Sequence, residues 1–125
     1  MNILDISNQT IEEIHNIPNH SQLCIVHNNI DLLQDKPTAF DTIISKLRIG
    51  GEFILFFTDV SALLSDCQNN IISKQDFCNN MQNVKYYTDY NELSYYIMNL
   101  EPNISLYKHV RENYKIIISL VRKQY

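Results

Sequence analysis

Only two glycines occur in this 125-residue chain, side by side at Gly50 and Gly51, and there is no tryptophan. With no glycine before position 50, the first part of the chain lacks the residue that a turn needs where the backbone takes positive φ or presses closely on a ligand. No run approaches the roughly 18 apolar residues of a membrane helix. Met1 leads straight into Asn-Ile-Leu-Asp, without the basic start and apolar segment of a secretory signal. A cytoplasmic chain with no membrane partner is therefore expected. Basic charge is not in excess: the formal net charge is -4, so nucleic acid is not expected as the main partner, since phosphate binding wants a basic surface. Cysteine is scarce and odd in number (Cys24, Cys67, Cys78), without C-x-x-C spacing, and reads as free thiols. Together with His15, His20, His27 and His109 these cysteines fit no zinc template, so no metal site is expected.

What is present is an ordinary globular composition, 45% hydrophobic and 19% charged, enough for one domain over residues 1–125. Asparagine is plentiful, which hints at an AT-rich genome, viral or symbiont. The organising stretch is Phe40–Asp59. Phe40, Ile43, Ile44 and Leu47 fall at i, i+3, i+4 and i+7, one face of a helix. Pro37 suits its first turn, and Gly50 suits the left-handed position past its end. The run from Phe53 to Phe57 has no polar alternation, so both faces are expected to be covered, as for an inner strand of a parallel sheet.

Residues 2–7 make a short candidate strand. Thr10 and Glu13 form a capping box for a helix with Ile11 and Ile14 inward, and Pro18 ends it. Leu23–Val26 is the next strand, ending at His27-Asn28-Asn29, and Ile30, Leu32 and Leu33 form a helical turn. Asp59 caps a helix carrying Leu63 and Leu64. Ser73 and Asp76 start another, with Phe77 and Met81. The stretch 83–88 is irregular. Asp89 caps a helix whose buried stripe is Leu93, Tyr96, Ile97 and Leu100, ended by Pro102. Strands Ile104–Arg111 and Tyr114–Arg122, joined by Glu112-Asn113, must be antiparallel. The unbroken Ile116-Ile117-Ile118 places the second of them inside the sheet.

This order resembles the second half of a class I S-adenosylmethionine-dependent methyltransferase. KLRIGGEFILF (46–56) is similar to the family's block before its fifth strand, with Ile49 where proline is usual. CIVHNNIDLL (24–33) is similar to the fourth strand and the segment after it, and YYTDYNELSYYI (86–97) to a later helix. ENYKIIISLVRK (112–123) resembles the last strand of the terminal hairpin. The resemblance implies a three-layer, Rossmann-like α/β fold, a truncated methyltransferase-type sheet of about five strands with a C-terminal antiparallel hairpin. ILDIS resembles the start of the family's glycine-rich cofactor motif, yet Ser7 stands in place of the first glycine. A second alignment takes ILDIS-NQTIEEI as a later strand of the family. On either alignment the cofactor half is missing, so no cofactor is expected, with S-adenosylmethionine the one the resemblance allows. GGEF at 50–53 also resembles a diguanylate cyclase signature, but that signature carries a further acidic residue and upstream metal-binding aspartates, so the likeness is accidental.

Ligands of open α/β sheets sit beyond the carboxyl ends of the parallel strands, where this chain puts Asp5 and Ser7, His27 and Asn28, and Thr58 and Asp59. Asp5, His27 and Asp59 are the candidate catalytic residues, a histidine base with orienting carboxylates. Ser7 and Asn28 are the candidate cofactor-binding residues. The same residues read equally as a strand end, a polar loop and a helix cap. Tyr86, Tyr87, Tyr90, Tyr95, Tyr96 and Tyr107 suit an interface, since tyrosine offers apolar area with a polar tip. The expected function is that of a degenerate, non-catalytic methyltransferase-like protein acting as a homo-oligomer or as an accessory subunit of a larger protein. The alternatives are a small adenosylmethionine-using enzyme with the strand-end site, completed by a partner chain, and a nucleic-acid accessory factor using Lys108, Arg111, Lys115, Arg122 and Lys123.

Overall fold

The computed structural model describes residues 2–125. Five strands, β1 (Leu4–Asp5), β2 (Gln22–His27), β3 (Leu47–Thr58), β4 (Ile104–Glu112) and β5 (Lys115–Arg122), form one sheet in the order β1-β2-β3-β5-β4. β1, β2 and β3 run parallel, and β5 is antiparallel to both β3 and β4. The helices are α1 (Ile11–His15), α2 (Lys36–Ser45), α3 (Val60–Gln68), α4 (Lys74–Met81) and α5 (Tyr90–Leu100). This is the α/β class, with the inner position of 53–57 and of Ile116–Ile118 as expected. In the doubly wound order the neighbour of the fourth strand is the first. β1 pairs with β2, which favours the alignment of ILDIS with the first strand over the alternative.

The local reasons are mostly those written in the sequence. Thr10 and Glu13 make a reciprocal capping box at α1, and Ser73 and Asp76 make one at α4. Asp35 caps α2 through the Thr38 N–H, and Pro37 lies in its first turn. Asp89 accepts from the N–H groups of Asn91 and Glu92 at α5. Leu93 and Ile97 of α5 are buried, with Tyr96 and Leu100 packed at the edge of the core. The β4–β5 turn falls at Asn113 and Tyr114, both at positive φ (51° and 62°), as a two-residue hairpin of the right twist requires. It sits one residue later than the sequence suggested.

Four expectations are corrected. The helix expected to carry Phe40 through Leu47 and to end before Gly50 stops at Ser45. The N–H of His20 donates to Ser45 O, and those of Ser21 and Gln22 to Lys46 O (2.9–3.0 Å), so the entry into β2 takes the carbonyls a further turn would use. Leu47 is buried, as its spacing implied, but as the first residue of β3. Gly50 does take positive φ (83°), though inside a bulge: Gln22 pairs with Leu47 while Cys24 pairs with Glu52. Ile11 of α1 is 45% exposed, because five residues present only Ile14 inward. In α3, Leu63 is buried but Leu64 is exposed, and α4 buries no residue.

The core lies on one face of the sheet. Phe53, Leu55 and Phe57 of β3 meet Ile25, Ile116, Ile118 and Leu120, with Phe40, Ile43, Leu93 and Ile97 from α2 and α5 above them. The intervening Ile54 and Phe56 are only half-buried, so the all-apolar run is not equally covered on its two faces. Arg122 stitches the tail to this core by donating to Ile44 O at 2.6 Å, a carbonyl freed at the end of α2. Among the described residues no helix is long and apolar enough to cross a membrane, and the three cysteines are unpaired, Cys24 buried and Cys78 exposed.

Candidate functional site

The carboxyl ends of β1, β2 and β3 carry three separate polar assemblies. In the first, Asp5 Oδ1 accepts from the backbone N–H of Ser7 at 2.9 Å and from its hydroxyl at 2.5 Å, and Oδ2 accepts from the Asn28 side chain at 3.3 Å. The Asn28 N–H donates back to Ser7 Oγ at 2.9 Å. The Ser7 donors hold the Asp5 carboxyl below its usual range. Asp5, Ser7 and Asn28 are thus brought together, as their place in the sequence implied.

His27 stands behind them. As the last residue of β2 its side chain alternates to the core face, where it is 2% exposed. Burial lowers its pKa, opposed by the nearby Asp5 charge. Its Nδ1 accepts the Asn29 N–H at 3.1 Å, which fixes the tautomer with the proton on Nε2. It shares no direct hydrogen bond with Asp5 or Asp59 among the described residues.

Asp59 lies past the end of β3, on the same face as Phe57, whose row across the sheet continues through Ile116 to Arg111. It caps α3 through the Ala62 N–H at 3.2 Å and takes a forked pair from Arg111 of β4, both bonds 2.9 Å. This pair borders a cleft of about 230 Å³, lined also by Ser61, Tyr87, Asp89, Tyr90 and Asn91. A second, smaller hollow of about 160 Å³ lies between α2 and α5, beside Lys36, Glu92 and Tyr96. Neither reaches Asp5, Ser7, His27 or Asn28.

The residue that sequence reasoning passed over is Asp31, 0% exposed between these assemblies. Its Oδ2 accepts the Thr58 N–H at 2.9 Å and its Oδ1 the Thr88 hydroxyl at 2.5 Å. Its backbone carbonyl accepts the Tyr86 N–H at 2.7 Å. One side chain therefore ties the end of β3 and the 83–88 connection to the turn after β2. Lys36 closes the same knot, donating to Leu33 O and Tyr86 O at 3.0 and 3.1 Å, with its pKa lowered by burial. The only signal in the sequence was an aspartate inside an otherwise apolar I-D-L-L turn.

Whether the strand ends fit a nucleoside cofactor can be judged on the turn after β1. There the N–H of Ser7 goes to Asp5, that of Gln9 to Ile6 O (3.1 Å) and that of Thr10 to Glu13 (3.1 Å). Three of the four backbone donors from Ser7 to Thr10 are thus used within the turn and the helix cap that follows it. α1 is five residues long, and β1 is the edge of the sheet, so no neighbouring strand offers an acidic end. The turn after β1 therefore carries no glycine and leaves few of its backbone N–H groups open.

No protein-family model matches the chain, and no curated protein matches it by sequence. Solved structures do match it in fold. The plantazolicin methyltransferase BpumL, solved in complex with S-adenosylhomocysteine, superposes with a TM-score of 0.60 at 9% identity, covering 89% of this chain and 57% of that one. A protein from Sulfolobus solfataricus described as a type 11 methyltransferase gives 0.57 at 15% identity, covering 94% and 57%. The PH0226 protein from Pyrococcus horikoshii OT3 gives 0.53 at 12%, covering 86% and 57%. The chain thus spans little more than half the length of the structures it resembles. Sheet order, the antiparallel hairpin and these superpositions together establish its architecture as that of a class I S-adenosylmethionine-dependent methyltransferase, over an extent consistent with the C-terminal half of that domain.

Proposed function

We propose that this chain is a degenerate, non-catalytic protein of methyltransferase fold that acts by association, as a homo-oligomer or as an accessory subunit. The observation that supports the reading most is the glycine-free turn from Ser7 to Thr10, in which the N–H groups of Ser7, Gln9 and Thr10 already have partners. Its hydrogen bonds run to Asp5, Ile6 and Glu13, where a methyl-donor site of this fold needs open backbone. Asp59 points the same way, since the α3 cap and Arg111 already occupy its carboxylate. Titration calorimetry of the purified chain with S-adenosylmethionine and S-adenosylhomocysteine is expected to show no binding heat. Saturable binding in the micromolar range overturns the proposal.

A second reading is supported only at Asp59, by the 230 Å³ cleft that it borders with Arg111. Here the chain contributes Asp5, His27 and Asp59 to a small enzyme, with Ser7 and Asn28 contacting an adenosylmethionine held mainly by a partner chain. It requires methyl transfer by a reconstituted complex that an Asp59→Asn substitution reduces while the complex still forms.

A further inference from the structure

We propose that the half-buried second face of the sheet is a two-fold interface with another copy of this chain, an inference that rests on the association reading and names its surface. The pairing registers put Asp5, Val26, Ile54, Ser119 and Lys108 in one row across all five strands, Asp5 at one edge and Lys108 at the other. Because Ile25, Phe53, Leu55, Ile118 and Leu120 point into the core, alternation puts this row on the opposite face. The adjacent row brings Phe56, Ile117 and Val110 to the same side. Ile54, Phe56, Ile117 and Val110 are all half-buried, and none belongs to the core cluster.

The row is acidic at its β1 end and basic at its β4 end, and this selects a second copy as the occupant. Rotation by two-fold symmetry about an axis along β3, the middle strand, lays the face on itself with strand order reversed. Ile54 and Phe56 then meet their own symmetry mates. Val26 lies over Ser119, and Asp5 at each end lies over Lys108 of the other copy. Sheets packed face to face keep their strands within about 30° of each other, which preserves this correspondence near the axis. Glu52, on β3 in the next row, meets its own mate and opposes the contact by like charge. Five strands spaced by about 4.8 Å span roughly 20 Å across the face, which makes a small interface, and a concentration-dependent dimer is the expected consequence.

Sedimentation equilibrium or light scattering across a micromolar concentration series tests this. The wild-type chain is expected to be a concentration-dependent dimer. Ile54→Lys, and the milder Ile54→Thr that keeps a β-branched residue in the strand, shift it to monomer with unchanged far-ultraviolet circular dichroism. Lys108→Glu weakens the dimer several-fold, and Glu52→Gln tightens it, a gain that loss of folding cannot imitate. A dimer that persists in both Ile54 variants overturns this interface while leaving association standing. A chain that stays monomeric and binds no adenosylmethionine overturns the interface alone and leaves the accessory-subunit reading. One that stays monomeric and does bind overturns both.

Discussion

Replacing Asp31 by alanine tests the joint on which the strand ends depend. The substitution removes the acceptors of the Thr58 N–H and the Thr88 hydroxyl, at a site with no solvent exposure. A buried donor left without an acceptor costs about 1–3 kcal/mol, so two of them cost about 4 kcal/mol. That is a large fraction of the roughly 5–15 kcal/mol that holds such domains folded. Asp31→Asn keeps the shape and one carbonyl oxygen for the Thr58 N–H, and Thr88 Oγ1 can turn to accept from the new amide, so its cost falls to about 1 kcal/mol. Urea denaturation followed by circular dichroism reads the difference. With a slope of about 2 kcal/mol per molar, the alanine midpoint falls by about 2 M and the asparagine midpoint by about 0.5 M. A Thr88→Val change made on top of Asp31→Ala is expected to recover part of the loss, because it removes the hydroxyl that the first substitution left unpaired. The reasoning is refuted if alanine lies within about 1 kcal/mol of wild type, or if asparagine is as damaging as alanine, which would make the charge and not the hydrogen bonds decisive.

Stability is expected to fall as pH drops below the ordinary histidine value of 6.5. His27 has a lowered pKa in the fold, so in that window the unfolded chain takes up a proton that the folded chain does not. The limiting slope is about 1.4 kcal/mol per pH unit; a His27→Gln chain that shows the same slope between pH 7 and 5 refutes this source. At the β3 bulge, Gly51→Ala is expected to cost more than Gly50→Ala. A Cβ at 51 meets Arg48 O and Gln22 O at 2.8 Å, both backbone atoms that cannot give way, whereas a Cβ at 50 has open space and only the strain of φ 83°. About 1–2 kcal/mol is expected at 50 and about 3 kcal/mol at 51; thermal melts in the reverse order refute this account of the bulge.

The sequence by itself determined whatever neighbouring residues decide among themselves. The capping boxes at Thr10 and Ser73, the caps at Asp59 and Asp89 and the Leu93–Ile97 stripe were legible because each depends on groups within one or two turns. The hairpin was legible for the same reason, and so was the absence of a glycine turn after β1. Tertiary structure alone decided where α2 ends, since the carbonyls of Ser45 and Lys46 are taken by residues more than twenty positions earlier. It also decided that Asp59 turns to Arg111, that His27 faces the core, and that Asp31 joins β3 to the 83–88 connection. Each of these is a hydrogen bond or a burial between segments distant in sequence, whose partners only the sheet order brings within reach.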